Sequence, residues 1–218
     1  PIDKSPPLRS PAPPKQDRSR ETLRRLVAAA RELLDEKGFD EISVAEIAKK
    51  GGSSVGAFYA RFKDKDTLLD YLIGLYVEDM ENWEREREEA ADIPLRSVVR
   101  EAIDALVRMQ RRHRGTLRAV ALRSMKAKPR SRSRRSEQLV RRSGTLGAEI
   151  KKRWREIGHP NPETATRLAQ AMVHGVIHER VLFPELDPKT PNSLPITDAV
   201  LVEELSRGVL SFLVVNDE

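Results

Sequence analysis

Apolar residues recur at three- and four-residue steps along most of this chain, and the rhythm breaks only where glycine, proline or serine gather. Leu23, Leu26, Val27, Ala30, Leu33 and Leu34 mark a first helix from about Arg18 to Gly38. "SVAE" at 43–46 reads as a capping box: the Ser43 hydroxyl takes the Glu46 amide while the Glu46 carboxylate returns to the Ser43 amide. A short helix follows to Lys50, "GGSS" turns the chain, and Ser54 caps a helix expected to reach Phe62. Asp64 caps a longer helix carrying Leu68, Leu69, Leu72, Ile73, Leu75 and Tyr76. Beyond it the pattern predicts helices over 95–110 from Pro94, over 117–125, along Leu139, Leu146, Ile150, Trp154 and Ile157, from Asn161-Pro162 to Phe183, and from Thr197 onward.

Every stripe has a helical period and glycine is sparse, so the expected fold is all-α. Residues 1–16 hold six prolines and little to bury, which reads as a disordered arm. Residues 17–70 form a three-helix unit and residues 71–218 a larger helical domain, with the boundary inside the long helix after Asp64.

The short helices flanking "GGSS" have the layout of a helix-turn-helix. On the second, Phe58 and Phe62 share a face that packs inward, while Gly56, Ala57 and Ala60 lie opposite with Arg61 at the flank. A face of glycine and alanine gains nothing from water, yet it approaches another surface closely, and the major groove of DNA admits such a helix. Val55 falls on the apolar side of the wheel but, as the first residue of the helix, also reaches the groove end. Lys65 stands at a helix start, where the macrodipole disfavours a cation, so a phosphate shared with the free amides accounts for it. Tyr59 offers its hydroxyl to a second phosphate, and the Ser43 and Ser54 helix ends add further amides.

"SVAEIAKKGGSSVGAFYARFKDKDTLL" resembles the DNA-binding domain of the tetracycline-repressor (TetR) family of bacterial transcription regulators, from about Arg18 to Tyr71. The resemblance implies that Tyr59 and Lys65 bind phosphates and that Val55, Gly56, Ala57 and Arg61 face the groove. Ser53 stands where the family usually has valine. It also implies a repressor of a pseudo-palindromic operator, released by a small molecule, with a diverged C-terminal domain that binds ligand and dimerises.

Composition adds less, except in where the charge lies. The chain carries a formal +6, but residues 108–155 hold 18 Lys or Arg against two acids, Glu137 and Glu149, a local +16. The stretch "KAKPRSRSRR" at 126–135 is a basic loop. Residues 15–70 are nearly neutral, with 12 basic and 11 acidic residues. Arg118, Arg123, Arg141, Arg142, Lys151 and Lys152 flank apolar stripes, and Ser143, Gly144 and Gly147 leave little side-chain volume. An amphipathic anion such as a fatty acid or acyl-CoA suits a pocket of that kind, for which Met109, Gly147, Trp154, His174 and His178 are the candidate lining. A long-range electrostatic aid to DNA capture fits the same charge equally well.

The last two helices are apolar around most of their circumference, which puts one face on the chain's own core and another on a second copy. Met172, Val173, Val176, Leu205, Val209 and Phe212 are the expected dimer contacts. His174 and His178 have zinc-binding spacing, but Gly175 stands where a catalytic zinc helix has glutamate, so they read as interface or pocket histidines and no metal is expected. No nucleophile elbow, P-loop or dinucleotide fingerprint is present, so neither an enzyme nor a cofactor is expected. The absence of cysteine and of a long apolar stretch suits a cytoplasmic protein, and leaves lipid-surface binding through the basic stretch as a rival to DNA.

Overall fold

The structure, a computed structural model, describes residues 14–88, 93–126, 145–182 and 196–214. Among these residues every regular element is a helix, in agreement with the all-α expectation. Compactness divides the chain after Leu68, two residues before the expected boundary.

In the first unit, α1 (Pro14–Glu36), α2 (Val44–Lys50) and α3 (Val55–Tyr59) precede the start of α4 (Lys65–Glu88). Helix α1 begins at Pro14, not Arg18, so the last three residues of the expected arm are helical; proline suits a first turn because its missing N–H has no partner there. The remainder of that arm lies outside the described residues. Leu26, Ala30, Leu33, Ile42, Ile47, Phe58 and Phe62 make the core. Helix α2 crosses α1 so closely at Gly51 that a Cβ would stand 3.2 Å from the carbonyl oxygens of both Arg25 and Ile47. Gly52 follows at φ +57°, the left-handed region that glycine enters without strain. Gly52 is held by its backbone conformation and Gly51 by the close approach of α1, where a side chain would press on backbone.

In the second unit the rest of α4 is followed by α5 (Leu95–Arg112), α6 (Arg114–Lys126), α7 (Thr145–Lys151), α8 (Pro162–Ile177) and α9 (Asp198–Leu213). Helix α5 is central and packs against α6, α7, α8 and α9. Val99, Ala102, Ile103 and Leu106 bury its apolar side, each large aliphatic contributing about 1.5–3 kcal/mol. Pro94 caps α5, and the freed Leu95 amide donates to Glu156 Oε2 at 2.8 Å. Asn161 Oδ1 takes the Thr164 amide at 3.1 Å and Thr197 Oγ1 takes the Val200 amide at 3.3 Å, as their positions predict.

Three helices end earlier than their stripes suggest, among them α3, which stops at Tyr59 and not at Phe62. The one expected to run through Trp154 and Ile157 stops at Lys151, and Trp154–Glu156 is a separate 3₁₀ turn. Helix α8 stops at Ile177 and gives way to a π-helical turn, His178–Leu182. In each case the apolar spacing continues across a change of pitch that periodicity alone does not register.

Candidate nucleic-acid interface

The interface is built on two capped helix starts. At α2 the capping box forms: the Glu46 amide donates to Ser43 Oγ at 3.2 Å and the Ser43 amide to Glu46 Oε2 at 2.7 Å. Lys37 Nζ adds a bond to Glu46 Oε1 at 2.5 Å. Led by the Lys37 contact, these bonds hold the Glu46 carboxyl down at about 2. At α3 Ser54 Oγ accepts from the Ala57 amide at 3.1 Å. Ser53, half-buried, gives its backbone amide to Ala48 O at 2.8 Å, so the turn closes through the main chain whatever the side chain.

Phe58 has no exposed surface, and its ring meets Phe62 at 5.4 Å, which fixes the rotation of α3. The opposite face is therefore outward: Gly56 and Ala60 are exposed, Ala57 half-exposed, and Val55 and Tyr59 are 42% and 55% exposed. The ambiguity of Val55 is settled on the outer side. A Cβ built at Gly56 would touch only Ser54 Oγ, at 3.8 Å. The fold has room for a side chain there, and alanine would suit the helix better by roughly 0.5–1 kcal/mol. Unlike Gly51 and Gly52, Gly56 has no internal reason to be glycine.

Lys65 and Arg61 stand differently from the sequence expectation. Lys65 Nζ donates to the carbonyls of Phe39 at 2.8 Å and Ile42 at 2.5 Å, and lies 4.7 Å from the centre of the Phe39 ring. Its charge at a helix start is thus accounted for within the chain, without an anion. Arg61 is not splayed toward a groove: its guanidinium donates to Ala57 O at 2.8 Å and to Ser19 O and Oγ at 3.1 Å, tying the end of α3 to α1. Ser19 and Phe39 are the residues that sequence reasoning missed. Their partners lie 42 and 26 positions away, and no local pattern signals them.

The other expected sites gather less well. Val173 and Val209 are 0% and 1% exposed in the chain's own core, so neither is an intermolecular contact. Val176, Leu205 and Phe212 are half-buried and Met172 is 41% exposed, joined on the outside by Leu168, Val200 and Val214. The expected ligand lining does not come together either. Met109 borders a cleft of about 570 Å³ with Asp79, Trp83 and Arg112, while Trp154 borders a separate one of about 640 Å³ with Ile93, Lys152 and Arg155.

Gly147 opens no space, because a Cβ there would lie 2.5 Å from Gln170 Oε1. His174 is half-buried on α8; His178, on the π turn, keeps an exposed edge, and the partial loss of water around its ring lowers its pKa. Arg141, Arg142, Ser143, Gly144 and the loop 126–135 beyond its first residue lie outside the described residues. Among the described residues of the basic stretch, Arg111 pairs with Asp198, Arg112 with Asp79, and Lys152 and Arg153 with Glu149. Among the described residues no three His, Asp or Glu side chains are grouped to hold a metal, and no helix is long and apolar enough to cross a membrane.

Residues 26–72 match the family model for bacterial regulatory proteins of the tetR family. YerO, an uncharacterized HTH-type transcriptional regulator of Bacillus subtilis, is 36% identical over 89 residues, which is 39% of this chain and 30% of that protein. An HTH-type transcriptional regulator of Staphylococcus aureus (strain N315) is 40% identical over 55 residues, 25% of this chain and 30% of its own length. The match thus spans under a third of these curated relatives.

Likeness of fold extends further. PfmR, a TetR family transcriptional regulator from Thermus thermophilus, superposes with a TM-score of 0.63 over 85% of this chain and 97% of its own, at 18% identity. The regulator FadR from Bacillus subtilis, solved in complex with stearoyl-CoA, does so at 0.58 over 90% and 100%, at 22% identity. The helix-turn-helix within residues 26–72 is thus that of bacterial regulatory proteins of the tetR family, and the helical architecture of the chain is the fold of these solved structures.

Proposed function

We propose that the chain is a sequence-specific DNA-binding transcription regulator that acts as a homodimer, and that it is a repressor released from its operator by a small molecule. The observation that carries the reading is the outward face of α3. Gly56 has open space around it, Val55 and Ala57 are small and apolar, and the aromatic anchor Phe58 fixes the helix from behind. Such a face enters a major groove to base-edge distance, where alanine and valine methyls meet thymine methyls.

Tyr59 is exposed beside that face with its hydroxyl available to a phosphate. Lys65 gives two of its three donors to carbonyls, which leaves one for a phosphate in this reading. In this reading Arg61 positions α3 through Ser19 and does not read bases. The Ser43 and Ser54 ends contribute first-turn amides that have no intrahelical partner.

Dimerisation rests on the outer faces of α8 and α9. Leu168, Met172 and Val176 on one, and Leu205 and Phe212 on the other, leave apolar surface that a second copy covers in a four-helix contact. A two-fold pair of readers matches a pseudo-palindrome whose half-sites lie roughly 34–36 Å apart. A ligand that favours another separation releases the DNA. An anionic effector such as a fatty acid or acyl-CoA has Lys152 and Arg155 beside Trp154 in its favour, and a relative of like fold solved with stearoyl-CoA. Against it stands the pairing of Lys152 itself, and of Arg153, with Glu149. Selection of bound duplexes from a random pool, with and without candidate effectors, tests the whole reading. Enrichment of one palindrome that an effector abolishes is expected; binding that ignores sequence refutes it.

A further inference from the structure

The segment that follows α7 meets the start of α5 along a cleft. Helix α7 ends at Lys151, and the 3₁₀ turn Trp154–Glu156 faces Ile93 and Pro94 across it. Bonds within the chain fix both walls. Arg153 Nε donates to Ile93 O at 2.5 Å, and its Nη1 to Glu149 O at 3.1 Å. The Leu95 amide donates to Glu156 Oε2 at 2.8 Å, and the Gly158 amide to Leu213 O at 3.1 Å. The space between is about 640 Å³, within the range that holds small ligands.

The lining divides into a flat apolar part and a charged part. Ile93, Pro94 and Trp154 form the first, and Trp154 keeps 41% of its surface exposed although its turn is held on both sides. Large aromatic surface left bare on a fixed turn gains from a partner that covers it. In the charged part, Glu149 engages Lys152 at 2.5 Å and Arg153 at 3.3 Å, and Glu156 takes the Leu95 amide. Arg155, exposed in the same cleft, is bonded to no described residue. The cations Lys152, Arg153 and Arg155 stand against the carboxylates of Glu149 and Glu156, so one positive charge is left uncompensated, next to the bare ring.

We propose that this cleft binds a monoanion bearing a flat aromatic ring, with Trp154 stacking on the ring and Arg155 pairing with its carboxylate. Offset stacking adds to the area that two rings bury, and a guanidinium meets a carboxylate through two parallel N–H···O bonds. The same lining disfavours the alternatives. Three apolar residues leave most of a long acyl chain in water. A cation is repelled by Arg155, and a neutral ring forfeits the charge-assisted pair. The inference rests on the reading of the larger unit as an effector domain, and it gives the anionic effector a ring in place of an alkyl tail.

The test uses the full chain with 2-naphthoate, 2-naphthamide and decanoate as probes. Binding is read by calorimetry and by the indole N–H signals of Trp83 and Trp154 in nuclear magnetic resonance. 2-Naphthoate is expected to bind once per chain, at least tenfold tighter than the amide or decanoate, and to shift the Trp154 signal while leaving that of Trp83 in place. Arg155→Gln is expected to weaken 2-naphthoate at least tenfold and to leave the amide as it was, the loss of one charge-assisted pair. Because Arg155 is exposed and bonded to no described residue, that variant keeps the parental melting temperature, which separates lost binding from lost folding. Trp154→Leu is expected to weaken both ring probes and to spare decanoate. Parental binding of 2-naphthoate by Arg155→Gln overturns the proposal. So do equal affinities for naphthoate and amide, decanoate bound as tightly as naphthoate, movement of the Trp83 signal alone, and no binding at millimolar concentration. Operator selection by the parent chain is read separately, so this site can fail while the regulator reading stands.

Discussion

The two units of the chain leave opposite kinds of surface bare. The unit ending at Leu68 exposes small residues on α3, where Gly56 has open space and Ala57 and Ala60 lie outward. The unit beginning at Leu69 exposes large ones on its last two helices, with Leu168 at 50%, Met172 at 41% and Val200 at 44%. A large apolar surface gains about 25 cal/mol per Å² when covered, which suits a permanent partner such as a second copy. A small bare surface gains little from losing water but loses nothing in reach, which suits a partner read at base-edge distance and then released. Exposure alone does not separate the two roles; the small Gly56, Ala57 and Ala60 do, with the larger Val55 and Tyr59 at the start and the end of α3.

Filling the small face breaks the comparison most severely. Ala57→Glu sets a carboxylate against the groove and is expected to abolish operator binding, read by fluorescence anisotropy, with circular dichroism unchanged. Gly56→Leu sharpens the point, because the fold has room for the side chain and the operator does not. It should fold at least as well as the parent and still fail to bind. Parental operator affinity in both variants means that α3 is not the reader.

On the large face, Met172→Arg buries an unpaired charge if a second copy covers it, at a cost of several kcal/mol. Sedimentation is expected to show monomers that remain folded. Val209→Arg provides the contrast: Val209 is 1% exposed within the chain's own core, so that variant is expected to unfold and not merely to dissociate. A parent chain that is monomeric at micromolar concentration contradicts the dimer reading.

Lys65→Ala has a double effect of intermediate size. Loss of a phosphate contact weakens every duplex alike and lowers the salt slope by about one per subunit. Loss of the bonds to the Phe39 and Ile42 carbonyls lowers the melting temperature as well. A variant with reduced stability but parental salt dependence confines Lys65 to the structural role.

The smallest effect lies in the capping box. With its carboxyl held down at about 2 against an ordinary 4.5, Glu46 stabilises the fold above pH 4.5, and that contribution is lost as the pH falls toward about 2. The stability difference between the parent and Glu46→Ala should therefore shrink across that acidic window and stay constant above it. A difference independent of pH assigns the effect to the side chain's packing.

Local rules carry the sequence a long way in the first unit. The Ser43 box, the Ser54 cap, the Gly51-Gly52 turn and the inward Phe58–Phe62 pair all depend on residues within four positions, and all form as spaced. Partners far along the chain are not legible, which is why the sequence points Lys65 at an anion when two carbonyls at Phe39 and Ile42 hold it. In the second unit, a helix apolar all round does not disclose which side meets its own core. Val173 and Val209 accordingly turn inward, while their neighbours Met172 and Val176 keep outer surface. Gly147 is legible as small but not as filled, since Gln170 reaches it from another helix.

The central claim is that the outward face of α3 reads sequence. Selection of duplexes from a random pool by the parent chain, repeated with Gly56→Leu, tests it most directly. The account predicts that the parent enriches one pseudo-palindrome with half-sites about 10 base pairs apart and that the variant, equally folded, enriches none. Enrichment of the same palindrome by both proteins, or of no sequence by the parent, contradicts it.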